Sequence, residues 1–279
     1  MKQEYHLYRA KFIKPHQANF LHDPDITPEG VFIKALYEKP YAEYRESFTW
    51  HIGNLNELEQ SAGFFAVGRI TTAKFPKFDP QSGNFVELVD DTSPHTFVIY
   101  DARIGLLAIR KKSDLAPSTE DIAYKIEKLL AQTSVVIKNE IGVIVKLIPN
   151  PEDFIQLIDR SYAVKSFTAT FTGPNPFDAD EYFQKPLAVY LNAAGGESGV
   201  ATIQGGSLDK DVVTEVAKST AATANNASAK IQDEAGQRPY RINLNHNPVK
   251  LVFDQEEEVA PAVVLAHART AYNKVRHDD

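Results

Sequence analysis

The stretch that most constrains this chain is 96–132, where TFVIYDARIGLLAIRK runs into SDLAPSTEDIAYKIEKLLAQ. Two apolar runs, TFVIYD and LLAIRK, flank the short ARIG, which predicts a β-hairpin. Ser118 precedes Asp121 by three residues, a capping box with Asp in place of the usual Glu or Gln. Ile122, Ile126, Leu129 and Leu130 then recur at i, i+4, i+7 and i+8, one apolar helical stripe. Two adjacent strands followed by a capped helix form a strand–strand–helix unit. The rest of the chain also mixes strands and helices without a regular βαβ alternation. The fold class expected is therefore α+β, with mixed or antiparallel sheets and a few packed helices.

Upstream, YHLYRAKFI (5–13) reads as a first strand, 16–30 as a loop and 31–40 as a short helix stopped before Pro40. SFTWHIG (47–53) alternates Phe48, Trp50 and Ile52 on one face and reads as a strand. LNELEQSAG (55–63) reads as a helical turn or tight connection, 63–75 as a strand and FPKFDPQSGNF (75–85) as a loop. Downstream, the β-branched run 134–149 reads as one or two strands. A helix over 150–160 has Asn150 as N-cap and Pro151 at its first position. In 162–178, Ser166, Thr168 and Thr170 share one face, Phe167, Ala169 and Phe171 the other, and Pro174 and Pro176 end the strand.

The second half is rich in Gly, Ala, Ser and Thr. Ser207 is placed to cap a helix with Asp209 and Asp211 in its first turn. Its apolar stripe of Val212, Val213 and Val216 is narrow, which predicts a surface helix between glycine loops. A meander of three strands is expected over 227–253, with turns at DEAG and NHNP. A terminal helix follows over 260–276 and buries Val264, Leu265, Ala268, Tyr272 and Val275. A break near 160–180 divides the chain into an N-terminal lobe, 1–160, and a C-terminal lobe, 161–279.

Composition narrows the chemistry. The 279 residues include no cysteine, which excludes disulfides and thiolate metal sites and fits a reducing cytoplasm. No apolar run approaches the ~18 residues of a membrane span, so no membrane insertion is expected. MKQEYHLYRAKF lacks an apolar signal-peptide region. None of the eight histidines pairs with another at H-x-x-x-H spacing, and G-x-S-x-G is absent. GGESGVATIQGG (195–206) matches neither phosphate-loop pattern and reads as a flexible loop. No metal and no cofactor is expected.

The net charge of −7 argues against a surface that coats nucleic acid throughout, but cations cluster locally. Arg103, Arg110, Lys111 and Lys112 flank the 96–111 hairpin, and Arg69, Lys74 and Lys77 end another strand. If those strand ends adjoin, seven cations share one rim, suited to salt-dependent, sequence-blind phosphate contact. The other reading is a solvated rim that binds nothing. A catalytic alternative is a metal-dependent nuclease built on Asp101 with Glu87, Asp90 and Asp91. A third is a non-catalytic interaction subunit of a larger complex.

The hairpin, the capped helix, the strand YAVKSFTATF and KIQDEAG (230–236) ahead of the last strands together resemble RexA-like phage-exclusion proteins. They also resemble, more loosely, KwaB-like antiviral defence proteins. The resemblance spans about half the chain and carries no catalytic signature. It implies a cytoplasmic, often dimeric protein that helps abort phage infection, binds DNA with little sequence preference and acts with a membrane partner. The function expected is thus a bacterial anti-phage protein, not an enzyme. It would sense nucleic acid, or a phage nucleic-acid-binding protein, and signal to an effector. Its expected partners are nucleic acid, a protein of the same defence system and further copies of itself.

Overall fold

The first strand, β1 (Lys2–Ile13), serves two cores at once, because successive side chains of a strand point to opposite faces. Tyr5 and Leu7 enter one core, while Tyr8, Ala10 and Phe12 enter the other. The computed structural model describes residues 2–13, 27–45, 48–172, 183–244, 247–254 and 258–276, without the side chains of 44–45, 73–75, 88–91 and 192. Around β1 lies a nine-stranded antiparallel sheet. Its other strands are β2 (Tyr41–Arg45), β3 (Phe48–Glu59), β4 (Ala62–Asp79), β5 (Asn84–Thr92), β6 (His95–Asp101), β7 (Leu106–Arg110), β8 (Gly142–Leu147) and β13 (Lys250–Asp254). The order is β13-β1-β7-β6-β4-β3-β2, with β8 also on β1 and β5 attached to β4 alone.

Three helices cover one face: α1 (Pro28–Tyr37), α2 (Thr119–Ala131) and α3 (Ser134–Lys138). The capping box at α2 is complete: the Asp121 amide donates to Ser118 Oγ at 3.1 Å, and the Ser118 amide donates to Asp121 Oδ2 at 3.2 Å. The other face meets α7 (Pro261–Arg276). Beyond it stands a second antiparallel sheet, β10-β9-β11-β12, of β9 (Ala163–Thr172), β10 (Ser198–Leu208), β11 (Ala227–Gln232) and β12 (Tyr240–Asn243). α6 (Lys210–Ala222) packs against both α7 and β9, and α4 (Glu152–Arg160) and α5 (Gln184–Ala193) pack on α6. One core unites Ile99 of the first sheet, Phe167 of the second, Ala217 of α6 and Val264 of α7. Position 160/161 is where the chain passes from the first sheet to the second, and β13 and α7 later return to the first.

The architecture is α+β with antiparallel sheets, as the residue pattern predicts. The hairpin, α2, the face pattern of β9 and the buried stripe of α7 also match. Several local readings need correction. Residues 55–59 continue β3 as a strand, with register shifts in its pairing to β4 and Asn54 at φ 49°. Residues 75–79 continue β4, and β5 returns along it, so 71–92 form a two-stranded arm. Residues 134–138 are helix despite their β-branching. The Glu38 carboxylate accepts from the amides of Ser134 (2.7 Å) and Val135 (2.9 Å), a cap supplied from distant sequence.

At α4 the N-cap is Pro151, although Asn150 Oδ1 still accepts from the Glu152 amide at 3.0 Å. Asp209, not Ser207, caps α6, which is no surface helix: Val213, Val216, Ala217, Ala221 and Ala222 are all buried. Its small residues allow close packing. Near its C-terminal end an inward hydroxyl is satisfied by the helix's own carbonyl: Thr220 Oγ1 donates to Val216 O at 2.7 Å. The glycine-rich 198–208 is strand β10, made so by pairing with β9. The expected meander is split: β11 and β12 pair with each other, and β13 joins the first sheet. Most of 16–30, Pro174, Pro176 and part of NHNP lie outside the described residues.

Candidate functional site

The sheet brings four of the seven expected cations to one end. β4 and β7 both pair with β6, so Arg69 lies near Arg110, Lys111 and Lys112, and Arg69 Nη2 donates to the Asp114 carbonyl at 3.3 Å. That end is not a bare cationic rim. Arg110 bonds Glu258, Lys112 lies 3.8 Å from Asp114, and Arg69 sits 5.3 Å over the Phe48 ring. Lys111 donates its backbone amide to the Glu4 carbonyl at 2.8 Å. The hydrogen bond with His6 dominates in holding the Glu4 carboxyl below its usual range, and Lys111 and Lys250 add to it. Charges of both signs alternate there, which weakens the field a phosphate would meet. Lys77 lies on the exposed arm opposite Val86. Lys74 pairs with Val89 there, and its side chain is outside the described set.

Arg103 belongs elsewhere. It sits in the turn at the far end of β7, five residues or about 17 Å from the rim. There it grips Asp101 through Nε (3.1 Å) and Nη2 (2.9 Å). Arg269 of α7 donates Nε to the same carboxylate at 2.7 Å and also bonds Glu59. Burial pushes the Asp101 carboxyl up, but the two guanidiniums outweigh it and hold the group below the usual range. Asp101 is therefore a structural counter-ion that ties α7 to the first sheet. Among the described residues no cluster of three or more His, Asp or Glu side chains is placed to hold a metal ion.

Two cations are buried near this node. Arg9 donates to the Tyr272 hydroxyl at 2.6 Å. Lys11, 5% exposed, donates to Thr172 Oγ1 (3.0 Å) and Asn225 Oδ1 (3.4 Å) across the seam between the sheets. Burial, with Arg9 and Lys146 adding to it, drives its pKa down to about 7.

A shallow hollow of about 640 Å³ lies between α1 and α3, and a less open cleft of about 420 Å³ lies beside the edge of β13. This is within the size of small-ligand sites, about 300–1,000 Å³. Four elements build it. The start of α4 gives Glu152 and Ile155, α6 gives Lys218, the start of β13 gives Val249 and Lys250, and α7 gives Lys274 and Val275. Three lysines face one carboxylate, on a chain whose overall charge is negative. Lys274 Nζ lies 3.4 Å from Glu152 and Lys250 Nζ 3.7 Å from Glu4. Desolvation lowers the Lys218 pKa, partly offset by Asp159. The lining holds no histidine and no hydroxyl side chain among the described residues, and offers apolar contact and positive charge. Lys250 links the cleft to the rim through Glu4, which Lys111 also faces.

Sequence reasoning missed Lys218, Lys250 and Lys274 because they lie on three elements and share no spacing. No helix among the described residues is long and apolar enough to cross a membrane. No protein-family model and no curated protein matches the chain.

Proposed function

We propose that this protein is a recognition module for phosphate-bearing ligands of the nucleic-acid class, and that it serves bacterial antiviral defence by binding and signalling. The observation that carries the binding reading is the 420 Å³ cleft in which Lys218, Lys250 and Lys274 surround an apolar floor with Glu152 as the one acid lining it among the described residues. The defence role is supported by the resemblance of KIQDEAG and its flanking elements to phage-exclusion proteins. The contact is assigned to the cleft rather than to the hairpin rim because three lysines from α6, β13 and α7 converge there beside apolar side chains, although cations at both places hold carboxylates: Arg110 and Lys112 at the rim, Lys250 and Lys274 at the cleft. Exposed ammonium–phosphate pairs contribute about 0.5–1 kcal/mol each, so three lysines suit weak, salt-sensitive binding.

The test is fluorescence anisotropy with labelled single-stranded DNA, duplex DNA and RNA at several salt concentrations, with calorimetry for free nucleotides in parallel. Binding is expected to weaken steeply with salt. It should be lost in Lys250→Glu/Lys274→Glu and kept in Lys111→Glu/Lys112→Glu. Polymer binding without nucleotide binding would select a nucleic-acid strand as the source of the phosphate, and the converse a free nucleotide. Loss only in the rim variant would return the contact to the rim, and no binding at low salt would overturn the reading.

A further inference from the structure

Among the described residues β10 is an edge strand: it pairs with β9 on one side, and its other side ends the second sheet. Such an edge presents a row of unpaired amides and carbonyls and invites another strand, so proteins usually guard it with charge, proline or shortness. Other strands with an open side carry that guard: Glu43 in β2, Glu87 in β5, Lys146 in β8, Arg241 in β12 and Lys250 in β13. β10 does not. Its eleven residues, SGVATIQGGSL, contain no charge and no proline. Residues 198–204 pair regularly with β9, and the register then shifts before Leu208. The Gly206 carbonyl, past that shift, accepts from Lys165 Nζ at 2.5 Å. The open edge is therefore the seven residues 198–204.

Exposed apolar residues lie on β10 and on the preceding α5, which packs on β9, the neighbour of β10. Val200 is 66% and Ile203 48% exposed on the strand, and Val189 is 65% and Tyr190 70% exposed on the preceding α5. Val200 shares the open face of the sheet with Thr170, while Ile203 shares the helix-covered face with Phe167. Both layers of the edge thus offer apolar area.

We propose that β10 is the seat of a homodimer. The 198–204 edges of two copies pair antiparallel about a twofold axis near Ala201, joining two four-stranded sheets into one of eight strands. α5 of each copy, through Val189 and Tyr190, closes the helix side of the joint. A second copy is the fitting occupant because a twofold sets each residue against one from the same strand: Ser198 meets Gln204, and Val200 meets Thr202. A charged residue near the axis would meet its own like charge, and β10 is the strand from which charge is missing. Seven residues span about 24 Å, and a strand plus helix layer is about 20 Å deep, which gives on the order of 500 Å² per copy. That is slightly below the ~600–1,000 Å² per partner of stable interfaces, so the dimer dissociates in the micromolar range. The proposal rests on main-chain geometry and is independent of the lysine cleft.

The experiment is sedimentation equilibrium from about 1 to about 200 μM, where interfaces of this size associate. The mass is expected to rise from 31.1 kDa toward twice that value. Val200→Lys and Thr202→Lys, both at exposed positions, should remain monomeric throughout with unchanged circular dichroism. The chain has no cysteine, so Ala201→Cys should form a cross-linked dimer under mild oxidation. A wild-type protein monomeric at the highest concentration overturns the proposal. So do dimers that survive both lysine substitutions and fail to cross-link at position 201.

Discussion

Lys11 offers a sharp test of how the seam between the sheets is held. Its amine is buried with hydroxyl and amide acceptors and with Arg9 and Lys146 nearby, and its pKa falls from 10.5 to about 7. Below pH 7 both the folded and unfolded chains carry the proton, so this group gives no slope. Between pH 7 and 10.5 the folded amine is neutral while the unfolded one stays protonated. The unfolded state then binds more protons, and stability rises with pH. The limiting slope is about 1.4 kcal/mol per pH unit, and curvature near pH 7 reduces the gain from pH 7 to 9 to about 2 kcal/mol. Tyr5, Tyr8 and Tyr100 are raised mainly by burial, and their linkage enters only near pH 10 and above; Lys218, lowered by desolvation, adds its own slope, which is common to both proteins and cancels in their difference. Lys11→Met removes the ionisable group at similar length. The assay is urea unfolding of both proteins at pH 7, 8 and 9. The stability of Lys11→Met relative to wild type should fall by about 2 kcal/mol across that range, whatever the lost hydrogen bonds cost. A difference that stays flat with pH would refute the reasoning, because it would mean the buried amine keeps its proton.

Three further perturbations probe the frame around the seam. Asp101→Asn leaves Arg103 and Arg269 facing a neutral amide and should cost about 2–4 kcal/mol in denaturant unfolding, whereas Arg103→Ala, at a half-exposed side chain, should cost less than about 1. Gly105 has φ +60°, and a Cβ there would stand 2.3 Å from the Ala10 carbonyl oxygen, so Gly105→Ala should destabilise by more than about 2 kcal/mol. Glu38→Ala should release the first amides of α3, cost about 1 kcal/mol, and raise hydrogen exchange at Ser134 and Val135 before other helices respond.

What could be read from the sequence is what acts over short range. The 96–132 unit is legible because hairpin alternation, the Ser118–Asp121 box and the apolar stripe all operate within about one element's length. α3 is not, because its cap comes from Glu38, nearly a hundred residues away. α6 and β10 share a subtler cause. Both are built of small, weakly apolar residues, and both take their identity from neighbours: α6 from lying between two sheets, β10 from pairing with β9. Composition read Ala, Thr and Gly as looseness, whereas here they permit close approach. The charged residues divide the same way. Arg110 and Lys112 are visible as cations in a hydrophobic context, but whether they are free to meet phosphate depends on Glu258 and Asp114, and Glu258 is joined to Arg110 only by the fold. The lysines of the cleft invert the problem: each is ordinary on its own element, and only the convergence of α4, α6, β13 and α7 makes them a group. A cluster of charge along a chain therefore locates a charged segment, and a candidate site appears only where the fold gathers charge from separate elements around one concavity.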